Sequence, residues 1–120
     1  MATPAVRDIS ISCDLNSLPR VVSVPGSLFT GDMMANRIVL CVTKGGQPVT
    51  VQGTVRGYVV KPDGSVVNAG SSQGSPNTIY CILPPAALTL PGPILVIIKC
   101  TDGTAVTTLA VCRCMVYPTS

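Results

Sequence analysis

The sequence predicts an all-β domain, either a sandwich or a barrel, in a chain of 120 residues. Apolar runs of about five to eight residues, rich in Val, Ile and Thr, alternate with Gly, Pro, Asn and Asp, which is typical of short strands joined by turns. Glu, a good helix former, is absent. Hydrophobic residues make up 47% of the chain and charged residues only 11%, against about a quarter charged in ordinary globular domains. This composition excludes a disordered tail, and the length fits one domain.

In the first half of the chain, strands are predicted where apolar residues alternate or run together. Residues 8–13 alternate and present one apolar face. The segment 26–35 is predicted to be a loop. The strand 37–43 closes at a turn in which Gly45 and Gly46 can adopt positive φ.

In the second half, turn residues separate the predicted strands. Pro62-Asp63-Gly64 predicts a tight turn, 70–77 a polar loop, and Pro84-Pro85 a single helical turn or crossover over 84–88, because two prolines remove two ladder donors. Asp102-Gly103 predicts a hairpin. The candidate strand segments in chain order are 8–13, 20–24, 37–43, 49–51 (a short edge piece), 54–61, 65–67, 78–83, 93–101 and 104–117, and we expect about seven or eight of them to form strands of the sheet structure.

Two of these strands are apolar on both faces. Ile94, Val96 and Ile98 point one way and Leu95 and Ile97 the other, and the strand 37–43 has the same character. Loops of the same chain could cover the second face, or another subunit could. An exposed surface of this kind favours aggregation, so we expect an assembly.

Apolar residues outside the predicted core are candidates for that interface. The N-terminal segment 2–11 is a candidate arm that adds a strand to a neighbouring protein. Met33-Met34, next to Phe29, forms either a soft docking surface or a plug for one end of the sandwich. The predicted interface residues are Val6, Ile9, Ile11, Phe29, Met33, Met34, Leu95 and Ile97.

The six cysteines are expected to be reduced thiols in the core. Cys41, Cys81 and Cys100 lie in apolar strands, where a free thiol behaves as a small hydrophobe. An even number of cysteines is also compatible with disulfides in a secreted protein. Cys112 and Cys114 face one side of a strand, but without His or a second Cys pair a zinc site is not expected.

No motif indicates catalysis or a cofactor. His and Glu are absent, so the commonest general base is missing. Asp32, Asp63 and Asp102 are expected to be turn residues, and the pair Asp8 and Asp14 has too few oxygens for a calcium site. We therefore expect no enzyme activity, no cofactor, no metal and no small-molecule substrate.

Charge and hydropathy bear on location and partners. Eight basic residues are dispersed along the chain, so no nucleic-acid footprint is expected. The N-terminus lacks the apolar run of a signal peptide, and the run 94–98 is far shorter than the roughly 20 residues of a membrane span. We expect synthesis in a cytoplasm and no membrane partner.

The order of landmarks between residues 26 and 117 resembles a known type of phage domain. In order, the landmarks are Phe29-Thr30-Gly31-Asp32, an apolar strand, Gly46-Gln47-Pro48-Val49, Gly53-Thr54-Val55, Tyr58 to Val67 with Lys61-Pro62-Asp63-Gly64, Leu83-Pro84, Ala86-Ala87-Leu88, Pro91-Gly92 and Asp102-Gly103. This succession resembles the immunoglobulin-like N-terminal domain of bacteriophage baseplate upper proteins. Similar small domains occur in the bases of phage head fibres and in capsid decoration proteins.

The resemblance implies an immunoglobulin-like antiparallel β-sandwich of seven to eight strands over residues 26–120, preceded by an N-terminal arm and first strands over residues 1–25. It also implies a virion structural protein made in the bacterial host, which assembles as a homotrimer and contacts the major capsid protein or another virion protein. A capsid decoration or head-fibre base protein is the leading expectation, because no long C-terminal part follows the domain. The alternatives are a tail or baseplate protein and a bacterial carbohydrate- or protein-binding module. Sugar sites need aromatic platforms, and only three Tyr and one Phe are present.

Overall fold

The computed structural model describes residues 7–17, 21–23, 28–32, 36–74 and 77–119. Almost all regular structure in these residues is strand, which confirms the all-β class. No helix in these segments has the length and apolar character of a membrane span. The strands are β1 (Arg7–Asp14), β2 (Val21–Ser23), β3 (Leu28–Phe29), β4 (Asn36–Lys44), β5 (Gln47–Pro48), β6 (Thr54–Val60), β7 (Val66–Gly74), β8 (Thr78–Ile82), β9 (Gly92–Asp102) and β10 (Ala105–Tyr117).

The strands form one continuous sheet that folds back on itself and nearly closes into a barrel. Its order is β1-β4-β8-β7-β6-β9-β10-β2, with β3 on β10 and β5 on β4. The bend is in β7, whose first half (Val66–Ala69) pairs with β6 and whose second half (Gly70–Gly74) pairs with β8. We call the part from β1 to the second half of β7 the first sheet, and the part from the first half of β7 to β2 and β3 the second sheet.

The core lies between the two sheets and follows the two-residue period of the strands. Alternate residues of β4 and β9 are buried. Together with the inner residues of β6, β8 and β10 they fill the space between the two sheets. The short 3₁₀ helix Pro85–Leu88 buries Ala87 and Leu88, so the helical turn predicted over 84–88 is confirmed.

The first strand pairs with β4 in parallel, which corrects the prediction of a purely antiparallel structure. Parallel neighbours need a long connection, and residues 15–35 supply it. Side chains fasten the pair at its start, where Arg7 Nε donates to Asn36 Oδ1 (3.1 Å) and Arg37 Nε and Nη2 donate to the Asp8 carboxylate (2.8 and 2.9 Å). The short strands β2 and β3 also run parallel to their partner β10.

Four other predictions are wrong, and two turns are confirmed. The described residues form ten strands, not seven or eight. The segment 26–35 is not a loop throughout, because Leu28–Phe29 forms β3 and pairs with β10. Residues 70–74 continue β7 and are not a loop, because they pair with β8. The short strand pairs at Gln47–Pro48, whereas 49–51 leaves the sheet. The turn after β6 is closed by Gly64 N–H donating to Lys61 O (2.9 Å), and β9 and β10 form the hairpin predicted at Asp102-Gly103.

Candidate interaction surface

The outer face of the second sheet carries the predicted interface residues Leu95 and Ile97. Their neighbours Ile94, Val96 and Ile98 are 0–1% exposed in the core, so strand alternation directs Leu95 and Ile97 outward. Both are half-buried. We define the outer face by the outward side chains of three strands: Thr54, Arg56, Tyr58 and Val60 of β6, Pro93, Leu95, Ile97, Lys99 and Thr101 of β9, and Val106, Thr108, Val111, Arg113, Met115 and Tyr117 of β10.

Apolar side chains form two adjacent rows across this face. One row runs from Tyr58 through Ile97 and Val111 to Val21 on β2. The next row contains Val66, Val60 and Leu95. The ends of the rows are the most open, with Val66 61% and Val21 56% exposed. The result is an apolar area that spans five strands, from β7 to β2.

Three cations border the apolar rows. Arg56 and Lys99 lie directly opposite each other on β6 and β9, and Arg113 lies opposite Leu95. None of the three forms an ion pair with the described residues, whose one ion pair joins Arg37 to Asp8. No outward position of β6, β9 or β10 carries a carboxylate. The outer face is therefore apolar at its centre and positive at its border.

Two open grooves lie on the outer face. One groove is lined by Arg56, Tyr58 and Lys99 together with Thr54, Thr101 and Val106. The other is lined by Leu95, Arg113, Val60, Lys61, Pro62, Pro93 and Ile94. Apolar and cationic side chains thus line the same depressions.

Phe29, a third predicted interface residue, lies at one end of the same face. It pairs with Tyr117 across β3 and β10, and the two ring centroids are 6.3 Å apart. Phe29 is 39% exposed, Tyr117 46% and Met115 40%. The structure therefore brings Phe29, Leu95 and Ile97 to one face, although they are far apart in sequence.

Two other predicted interface residues, Ile9 and Ile11, are not on this face. Ile9 and Ile11 pair with Ile38 and Leu40 and pack against the core from the inner side of β1. Val6, Met33 and Met34 lie outside the described residues. The use of any of the eight residues in an interface stays a prediction.

The outer face of the first sheet has a different character. Small and polar residues from β1 and β7 occupy much of it, including Ser10, Ser12, Gly70 and Ser72. Its cation, Arg37, is neutralised by Asp8 and lies 4.6 Å from the centroid of the Tyr80 ring. The Arg37 hydrogen bonds lower the pKa of Asp8. This surface has no unpaired cluster of charge comparable with that of the second sheet.

Asp14 fastens the end of β1 to the turn between β4 and β5. Its carboxylate accepts hydrogen bonds from the backbone N–H groups of Asn16 (2.9 Å), Gly45 (3.2 Å) and Gly46 (2.9 Å), and from the Thr43 hydroxyl (2.9 Å). These bonds, led by that from Gly46, lower the pKa of Asp14 to about 2. Its acceptor capacity is used within the chain, so the role of Asp14 is structural.

The cysteines are free thiols, and five of the six are buried. Cys81, Cys112 and Cys114, which we call the thiol cluster, interact electrostatically with one another inside the core. Burial raises the pKa of Cys81 to about 11, of Cys112 to about 12 and of Cys114 to about 11. Such thiols are protonated near neutral pH and are poor nucleophiles. Cys41 is half-buried, and within the described residues no His, Cys, Asp or Glu side chains group as a metal site would require.

Sequence reasoning missed Tyr58, Val60, Val111 and the three cations as members of the same surface. A signal was present in β6, where Arg56, Tyr58 and Val60 alternate with residues that face the core. The position of β10 was harder to predict, because it depends on a bulge between Thr108 and Ala110.

Comparisons with known proteins place this fold beside a phage domain. The solved structure of the N-terminal domain of ORF48 from phage TP901-1 is similar to this chain with a TM-score of 0.61, and the match covers 91% of this chain and 97% of that one. The sequence identity is 15%, so the similarity concerns the fold. Neither a protein-family model nor a curated protein matches the sequence.

Proposed function

We propose that this protein is a non-enzymatic structural component of a bacteriophage virion and works by assembling with other virion proteins. The observation that carries the proposal is the outer face of the second sheet, where two apolar rows and three cations have no partner among the described residues. Monomeric proteins rarely expose contiguous apolar areas without an interaction that uses them. The similarity of the fold to a phage domain supports the viral context.

The finer assignment is a capsid decoration or head-fibre base protein with an immunoglobulin-like sandwich that assembles as a homotrimer. It depends on the resemblance of the turn sequence to such domains. The second candidate is a tail or baseplate structural protein, favoured by the resemblance to the baseplate upper protein domain.

Immunogold electron microscopy of virions from the producing culture, with antibody against this chain, tests the proposal. Gold over the heads supports a decoration or head-fibre base protein, whereas gold at the tail tip supports the baseplate assignment. A virion role would be contradicted if the chain were detected neither by labelling of particles nor by mass spectrometry of purified, disrupted virions. Light scattering then tests the trimer, for which a mass near that of a single 12.3 kDa chain in solution is the contrary result.

A further inference from the structure

We propose that the outer face of the second sheet docks on a different virion protein, one that presents an apolar patch bordered by acidic side chains, and not on a second copy of the same face. The inference rests on the proposed function, because the partner is expected to lie on a phage particle. The charges and the strand register of the face favour such a partner.

The first step concerns Arg56 and Lys99. They are register partners on adjacent antiparallel strands, and both point outward. Like charges directly opposite each other destabilise a sheet. No carboxylate of the outer face relieves this repulsion, and neither residue forms an ion pair with a described residue. The isolated domain therefore carries a pair of cations that an acidic partner would stabilise.

The second step excludes pairing of two identical faces. A twofold contact brings the same patch of each copy together, so it would place the cations of one copy near those of the other. Such like-charge contacts are unfavourable and act against the wrong partner. The apolar rows could associate, but the positive border would oppose that association.

The third step concerns the acids that another surface of a second copy could offer. Four of the five aspartates already accept hydrogen bonds inside the chain, and the fifth, Asp102, is exposed at the end of β9 and is the one acid that lines the pocket there. The four engaged acids and their donors are Asp8 with Arg37, Asp14 with Gly46, Asp32 with Asn36, and Asp63 with Ser65. The chain thus presents no acidic cluster to match the outer face, and the matching surface belongs to a different protein.

The test measures binding of recombinant protein to particles of the producing phage from which this gene has been deleted. The bound chain is quantified after sedimentation for the wild type, for the double variant Arg56→Glu/Arg113→Glu and for Lys44→Glu. Lys44 is an exposed cation at the end of β4, away from the outer face, and is the matched control. Arg56→Glu places a carboxylate opposite Lys99, so the variant is expected to stay folded, which circular dichroism checks.

The expected result is a loss of at least about tenfold in bound chain for the double variant, with Lys44→Glu bound like the wild type. Raising NaCl from about 50 to about 500 mM should also weaken wild-type binding, because exposed charges are screened. Equal binding of the wild type and the double variant would overturn the inference and leave the proposed function standing. A dimer of the isolated chain that the double variant abolishes would also overturn it. Failure of the wild type to bind any particle would contradict the inference, whereas the proposed function is decided by the presence of the chain in wild-type virions.

Discussion

Gly53, just before β6, gives the sharpest test of the packing at one end of the barrel. Its φ is +95°, and a Cβ on it would lie 2.1 Å from the carbonyl oxygen of Thr101. The loop 49–53 is held there by two further contacts: the Cys100 thiol donates to Gln52 O (2.7 Å), and Gln73 Nε2 donates to Val51 O (3.1 Å). Gly53→Ala therefore forces the new Cβ against the backbone of Thr101.

The size of the effect follows from two contributions. A non-glycine residue at this φ costs about 1–2 kcal/mol. Forcing extra atoms into a packed region costs about another 1–3 kcal/mol. We expect Gly53→Ala to reduce the free energy of unfolding by about 2–5 kcal/mol, a large part of the 5–15 kcal/mol that is usual for a domain.

Two other glycines separate these contributions. Gly64 has φ +88° with no atom within 4 Å of an added Cβ, so Gly64→Ala should lose only the conformational part, about 1–2 kcal/mol. Gly70 has the same open space without a positive φ, and Gly70→Ala should change stability by less than about 1 kcal/mol.

Urea unfolding followed by circular dichroism measures all three, with similar m-values as the check that the transitions are comparable. The expected order of destabilisation is Gly53→Ala, then Gly64→Ala, then Gly70→Ala. A Gly53→Ala variant no less stable than Gly64→Ala would refute the close approach of Gly53 to Thr101.

Three other results are expected. Asn36 is 3% exposed and joins Arg7 to Asp32 by hydrogen bonds, so Asn36→Ala should cost about 1–3 kcal/mol in urea unfolding, and unchanged stability would contradict its role as a buried link. Asp14 has a pKa near 2 in the fold, below its ordinary 3.8, so its stabilising effect is present above pH 3.8 and is lost as the pH falls toward 2; Asp14→Asn should flatten this part of a pH–stability curve. The thiols of the thiol cluster have raised pKa values. Their contribution to stability is therefore complete below pH 9 and is lost as the pH rises toward 11–12. At pH 8 a thiol reagent should modify Cys41 well before the cluster, and equal rates in the native protein would contradict the burial.

Much of the strand pattern was predictable because local sequence determines it. Runs rich in Val, Ile and Thr located β4, β6 and β9, proline fixed the 3₁₀ turn after β8, and Asp102-Gly103 located the last hairpin. The second half of β7 was missed because Gly70 to Gly74 are small and polar residues with weak strand preference, and they pair only because β8 lies beside them. The parallel pairing of β1 was missed because it depends on contacts with Asn36 and Arg37, about 30 residues away in the chain.

The residues of the outer face were predictable only in part, because a bulge decides which side of β10 faces outward. Between Thr108 and Ala110 the register with β9 shifts by one residue, and Leu109 and Ala110 are both buried. Without the shift, Val111 and Arg113 would point into the core and Cys112 outward, since one residue of slip exchanges the two faces of a strand. The composition of β10 alone does not specify this position, so Leu95 and Ile97 were predicted as interface residues while their neighbours on β10 were not.

Substitution of Arg56, which lies opposite Lys99, is expected to change stability and docking in opposite directions. A purely structural role for Arg56 would not produce this result. Arg56→Glu replaces the like-charge pair with an attractive pair to Lys99, so the isolated domain should gain about 0.2–1 kcal/mol. The same change removes positive charge from the border and should weaken binding to the particle. If Arg56 served only the fold, stability and binding would fall together. If it did neither, both would stay constant. Only a gain in one with a loss in the other fits a face whose charges are arranged for an acidic partner, because natural binding surfaces often keep residues that the isolated domain would be more stable without.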